Sequence, residues 1–321
     1  MSMSQGHRAA PAGRGRASQR TYMVRRLVAL AFVVALGWGL VSVIATVFGD
    51  GDPQQAAAVQ PTIITVVNDG QPTTVPIITA PPTVVTEPPV KERTVPSAEN
   101  PAELLILGDS DAGSFGPYLQ TLLDATGMVT TALDYKTSSG LARPDFFDWP
   151  SYMRQIVPAA NPDIVVVTFG GNDAQGLRNL DKSWAVNHEP ASGVDDADWR
   201  TEYGARVGAA MDYLSDGNRT LIWVGIPNDD NPDVTARMKV QDEVVRAEVA
   251  KRPNVVFVDT WARFSGRNGG WAEFVVDPRD GEGKDVRADD GFHLNQTGAE
   301  ILAIDIAAAV TADLRARGAT I

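Results

Sequence analysis

Leu104-Leu105-Ile106-Leu107-Gly108-Asp109-Ser110 is an unbroken apolar run that ends in a tight polar turn. The apolar residues read as a buried strand, and Ala112–Thr126 after the turn reads as a helix. A strand feeding directly into a helix is the building unit of a parallel α/β sheet. The turn leaves Ser110 at a strand's C-terminal end and near a helix N-terminus. Unpaired backbone N–H groups and the helix dipole favour developing negative charge there. Ser is also a common helix N-cap, so Gly-Asp-Ser alone does not decide its chemistry.

The alternation continues along the chain. Met128–Tyr135 reads as a strand, Trp149–Ala160 as a helix and Asp163–Phe169 as a strongly buried strand. Trp199–Ser215 reads as a helix, Thr220–Ile226 as a strand and Val234–Lys251 as a helix. Val255–Thr260 is a short strand, and Thr297–Arg317 is the closing helix. Strands alternating with helices predict a flavodoxin-like three-layer α/β/α sandwich on a five-stranded parallel sheet. In such sheets the site lies beyond the C-terminal ends of the strands. This domain is expected over residues 102–321.

Upstream the composition changes. Residues 49–101 hold ten of the 21 prolines, mixed with Thr, Val and Gln. They read as a disordered, extended spacer. Leu27–Phe48 is a stretch of 22 residues without a charge, long enough to span a bilayer and lacking a good small-x-small cleavage site at its end. Residues 1–26 carry six arginines and no acid, so this end is +6 and the rest of the chain −18, for a net charge of −12. The Arg-rich side is expected in the cytoplasm. The expected arrangement is a basic cytoplasmic tail (1–26), one transmembrane helix (27–48), a linker (49–101) and an extracytoplasmic domain. The acidic remainder argues against a nucleic-acid partner, which needs a Lys/Arg-rich face. The absence of cysteine excludes a thiol nucleophile, thiolate metal sites and disulfides.

A serine nucleophile needs a base, usually His, and the base needs an orienting carboxylate. The chain has three histidines. His7 is in the basic tail, and His188 lies in a polar segment that reads as surface. His293 remains, in Asp290-Gly291-Phe292-His293, with Asp290 close enough to fold back onto the ring. Phe169-Gly170-Gly171-Asn172-Asp173 follows the strongest strand, where the Asn172 amide is placed to donate to an oxyanion. Asn is also a frequent turn residue. Ser138-Ser139-Gly140 ends the second strand, and Gly140 would expose a backbone N–H at the same sheet edge.

Ser110, Gly140, Asn172 and His293 occur in the order of the four blocks that name the SGNH (GDSL-like) hydrolase superfamily, which the chain therefore resembles over residues 102–316. Asp290 completes the superfamily's D-x-x-H. The run Ser139-Gly140-Leu141-Ala142-Arg143-Pro144-Asp145-Phe146-Phe147-Asp148-Trp149-Pro150, with Asn172-Asp173-Ala174-Gln175-Gly176, looks like a bacterial subgroup whose domain has no assigned function. It is similar to proteins acting on cell-envelope glycans. The resemblance implies Ser110 as nucleophile, His293 as base and acid, and Asp290 as orienter. It implies an oxyanion hole from the backbone N–H groups of Ser110 and Gly140 and the Asn172 side chain, with Asp109 bracing the loop. It implies no cofactor and no metal.

One residue departs from the superfamily pattern. Asp111 follows the nucleophile where an apolar residue is common. A carboxylate there would oppose an oxyanion, line the substrate site or point away. Arg143 is either a contact for an anionic substrate or a partner of Asp145. Trp149, Trp184 and Trp271 have the surface to stack on sugars, although Trp is more often partly buried core. The acidic loop of Asp277, Asp280, Glu282 and Asp285 does not match an EF-hand and reads as solvated. The expected activity is ester hydrolysis or acyl transfer on an acylated envelope polysaccharide or peptidoglycan. The alternative is a catalytically weak or inactive member of the same fold that binds glycan.

Overall fold

The computed structural model describes residues 63–68, 71–76, 92, 94–191 and 196–321. The chain divides into two units, Met1–Val84 and Val85–Ile321. In the first, β1 (Ile63–Asn68) pairs antiparallel with β2 (Gln71–Pro76), Ile63 opposite Pro76 and Asn68 opposite Gln71. Both strands fall within the segment expected as linker. They are rich in β-branched residues and are separated in sequence by Asp69-Gly70, a pair strongly favoured in two-residue hairpin connections. The transmembrane segment expected at Leu27–Phe48 lies outside the described residues. Among the described residues no helix is long and apolar enough to cross a membrane.

The second unit opens with β3 (Ala102–Gly108), α1 (Ser110–Asp124), β4 (Val129–Tyr135), α2 (Trp149–Ala160) and β5 (Ile164–Thr168). A short hairpin follows, β6 (Leu177–Arg178) and β7 (Trp184–Val186). Then come α3 (Ala197–Ser215), β8 (Thr220–Val224), α4 (Pro232–Ala250), β9 (Val255–Val258) and the single turn α5 (Thr260–Arg263). A second hairpin, β10 (Phe274–Val276) and β11 (Gly283–Asp285), precedes α6 (Gln296–Ala316). The main sheet has the order β4-β3-β5-β8-β9, all parallel. The five-stranded parallel sheet expected from the sequence is present.

Alternation along the strands sorts the core onto two faces. Leu105, Leu107, Val165, Val167, Leu221 and Trp223 pack against α2, α3 and α4. Leu104, Ile106, Ile164, Val166, Ile222 and Val224 pack against α1 and α6. All twelve are at most 1% exposed, so these strands are buried on both faces, as parallel strands covered by helices are. The strand order reverses at β3, which has β4 on one side and β5 on the other. The loops leaving those strands therefore surround one crevice at the sheet's C-terminal edge.

Candidate active site

The turn from β3 into α1 is built by Asp109. It is the N-cap of α1, fully buried, and its Oδ1 accepts from the Asp111 amide at 3.0 Å. Its Oδ2 accepts from the amides of Gly170 at 3.2 Å and Gly171 at 3.1 Å. One carboxylate thus ties the nucleophile turn to the loop after β5. Burial, reinforced by the neighbouring Asp111, pushes the Asp109 carboxyl well above its usual range, against the amides it accepts from. Gly108 has φ +148°, and a Cβ there would overlap the Thr168 carbonyl on β5. The two strands approach closely at this end because Gly108 has no side chain.

This turn presents Ser110 to His293. Ser110 Oγ lies 2.9 Å from His293 Nε2, and His293 Nδ1 lies 2.6 Å from Asp290 Oδ2. With its Nδ1–H donated to Asp290, the imidazole keeps Nε2 as acceptor for the serine hydroxyl. Asp290 Oδ1 also accepts from the amides of Phe292 at 3.1 Å and His293 at 3.0 Å, so the orienter folds its own loop. Partial burial pushes the Asp290 carboxyl up, but the His293 ring and these amides prevail and hold it below the usual carboxylate range. Two residues on, Asn295 caps α6 by accepting from the Gly298 amide at 3.1 Å. Asp289 is exposed, and the contact to the imidazole is made by Asp290.

Asn172 and Gly140 meet at the third strand end. Asn172 Nδ2 donates to the Ser139 carbonyl at 3.1 Å, which leaves its second amide hydrogen for another acceptor. Ser139 Oγ in turn accepts from the buried Trp149 indole at 2.9 Å. Asp173, not singled out from the sequence, braces this loop. Its carboxylate accepts from the amides of Leu141 at 2.8 Å and Ala142 at 2.9 Å and from the Tyr203 hydroxyl at 2.9 Å. A Cβ on Gly140 would overlap that carboxylate. Burial raises the Asp173 carboxyl despite the amides and the hydroxyl that stabilise its charge. The sequence signal was its position directly after Asn172.

Asp111 and Arg143 are the two residues expected at the substrate. Asp111 is 7% exposed and its Oδ2 has no hydrogen-bond partner. It faces the interior beside Phe115 and Thr168. Burial raises its carboxyl to about 7, with Arg287 opposing and Asp290 adding to the rise. Arg143 holds Asp145 through two bonds, at 2.8 and 2.9 Å, so its fork is committed within its own loop. Trp149 is fully buried. The Trp184 ring lies under the Arg178 guanidinium at 3.7 Å, and the Trp271 indole donates to the Gly291 carbonyl at 2.7 Å. His188 is at the surface, 3.1 Å from Asp198. The acidic loop pairs internally, Asp277 with Arg279, and Asp280 and Glu282 with Lys284.

An apolar groove of about 460 Å³ opens between α2 and α3. Gly140 and Leu141 form part of its wall, but Ser110, Asn172 and His293 do not. The Ser–His–Asp cluster itself is open to solvent, with the Asp290 side chain 53% and the His293 side chain 35% exposed.

Residues 103–309, which include every residue of this cluster, match the family described as "Protein of unknown function (DUF459)". The chain belongs to the DUF459 family. No curated protein matches it. Among solved structures, the DUF459 chain is similar to a GDSL-like lipase from Bacteroides thetaiotaomicron. Identity is 13% and the TM-score 0.46, covering 66% of this chain and 89% of the lipase. It is also similar to an acetyl xylan esterase from Geobacillus stearothermophilus. There the identity is 19% and the TM-score 0.45, covering 68% of this chain and 96% of the esterase.

Proposed function

We propose that this protein is a serine esterase or O-acyltransferase of the SGNH type. The observation that carries the reading is the unbroken relay from Ser110 Oγ through His293 to Asp290, at 2.9 and 2.6 Å. Ser110 attacks an ester carbonyl while His293 Nε2 takes its proton. The oxyanion is held by the Ser110 and Gly140 amides and the free Asn172 amide hydrogen. His293 returns the proton to the leaving alcohol, and the acyl group rests on Ser110. Water then releases it as acid, or a sugar hydroxyl accepts it as a new ester.

The open setting of the cluster suits an ester that projects from a polymer better than one that must be swallowed whole. With an extracytoplasmic domain behind a Leu27–Phe48 anchor, the substrate we favour is an acyl group, acetyl in the first instance, on envelope polysaccharide or peptidoglycan. A carboxylate directly after the nucleophile, as at Asp111, would favour a non-catalytic glycan binder if it faced the oxyanion. The Asp111 carboxyl faces the interior, which weakens that alternative. The purified full-length chain should release p-nitrophenol from p-nitrophenyl acetate, and Ser110→Ala should lower the rate about 10³-fold or more. Equal turnover by the two, or no labelling of Ser110 by a fluorophosphonate, would sink the assignment. Acetyl transfer to an oligosaccharide, measured against release to water, separates transferase from esterase.

A further inference from the structure

Arg287 is 5% exposed and is not part of the Ser–His–Asp relay. All five of its guanidinium hydrogens are used. Nε donates to the Ala272 carbonyl at 3.2 Å. Nη1 donates to the carbonyls of Asn228 and Phe292, both at 2.9 Å, and Nη2 to Asn228 Oδ1 at 2.7 Å and the Phe264 carbonyl at 3.0 Å. One side chain thus joins the end of α5, the loop after β8 and the residue immediately before His293. The backbone closes the same loop, with the Ala288 amide donating to the His293 carbonyl at 2.8 Å.

Carboxylates surround this cation from several elements. Asp111 comes from α1, Asp229 and Asp230 from the loop after β8, and Asp290 from the catalytic loop itself, and each acts on the guanidinium charge. Asp109 precedes Asp111 by two residues, and the Asp111 charge helps raise its carboxyl. Asp230 lies against Gly291, and its amide donates to the Gly291 carbonyl at 3.2 Å.

We propose that Arg287 is a positioning residue for His293: its buried guanidinium fixes the Phe292 carbonyl and ties the loop that carries the base to the end of α5 and the loop after β8. Its kinetic meaning rests on the esterase reading, but its effect on the imidazole does not. With three histidines in the chain, the His293 ring can be followed by NMR in the full-length protein.

Arg287→Lys keeps the charge but loses the fork. It should lower kcat for p-nitrophenyl acetate about tenfold or more with KM changed much less, and should move the His293 ring resonances from their wild-type positions. Arg287→Gln should lower kcat at least as far, and Arg287→Lys covers the case in which Arg287→Gln does not fold. Wild-type kcat together with wild-type His293 resonances in the folded variant overturns the proposal. Moved resonances in a chain that never turns over ester would leave Arg287's role standing and overturn the esterase reading instead.

Discussion

At the residue scale, two carboxyls beside the nucleophile respond to pH with opposite sign. Asp111 is buried and its folded value is raised to about 7, against about 3.9 for an exposed Asp. Between those values the folded chain holds a proton that the unfolded chain has lost, so stability falls as pH rises through that window. Asp111→Asn should remove this slope. Its melting temperature should exceed that of wild type by about 3 °C or more at pH 8, with the gap closing towards pH 4. A gap that is the same at both pH values would mean that burial does not raise the Asp111 carboxyl. Asp290 runs the other way. Its folded value is held below the usual range, so the stability it contributes is present above the unfolded value and is lost as pH falls through the folded one.

At the scale of the elements, the site is made of three strand ends held in register by two buried carboxylates. Asp109 joins the β3 turn to the loop after β5, and Asp173 joins that loop to the one after β4. The amide of Gly140 points where it does because Asp173 is locked against the next two amides. Gly140→Ala would place a methyl group into that carboxylate and displace the loop. The expected result is a fall in kcat of about 10²–10³, the cost of one oxyanion donor, with KM changed much less. Unchanged kcat would show that the Gly140 amide is not a donor to the reacting oxygen. Trp149 links this loop to the start of α2 through Ser139, so a helix buried on one sheet face also steadies the site at the sheet's edge.

At the scale of the whole molecule, the charge asymmetry and the Leu27–Phe48 stretch bear on where the protein resides. If the anchor is retained, the full-length chain should stay in the pellet after alkaline carbonate extraction of membranes. Recovery of the mature chain in the soluble fraction would overturn the anchored arrangement. The residues of the Ser–His–Asp cluster are drawn from positions as far apart as Ser110 and His293, a separation of 183 residues. Their encounter depends on the sheet as a whole: β3 and β5 must be neighbours, and α6 must return to the face that α1 occupies.

Local physical chemistry explains what was legible in the sequence. Unbroken apolar runs such as Leu104–Leu107 have few alternatives to a strand buried on both faces, and their alternation with amphipathic stretches leads to a parallel sheet. Ser110, Asn172 and His293 could be singled out because each follows a strand or precedes a helix, and because so few histidines were available. What no local pattern carries is the direction and company of a side chain. Asp111 and Arg143 looked like substrate contacts, yet one is turned into the interior and the other is held by Asp145. Asp173 and Arg287 looked ordinary, yet each satisfies several backbone groups that lie far from it in sequence. Those partners exist only once the strands are side by side. The β3–α1 turn that opened the reading was therefore recognisable from its own residues, whereas the distances that join Ser110 to His293 and Asp290 were decided by the tertiary structure.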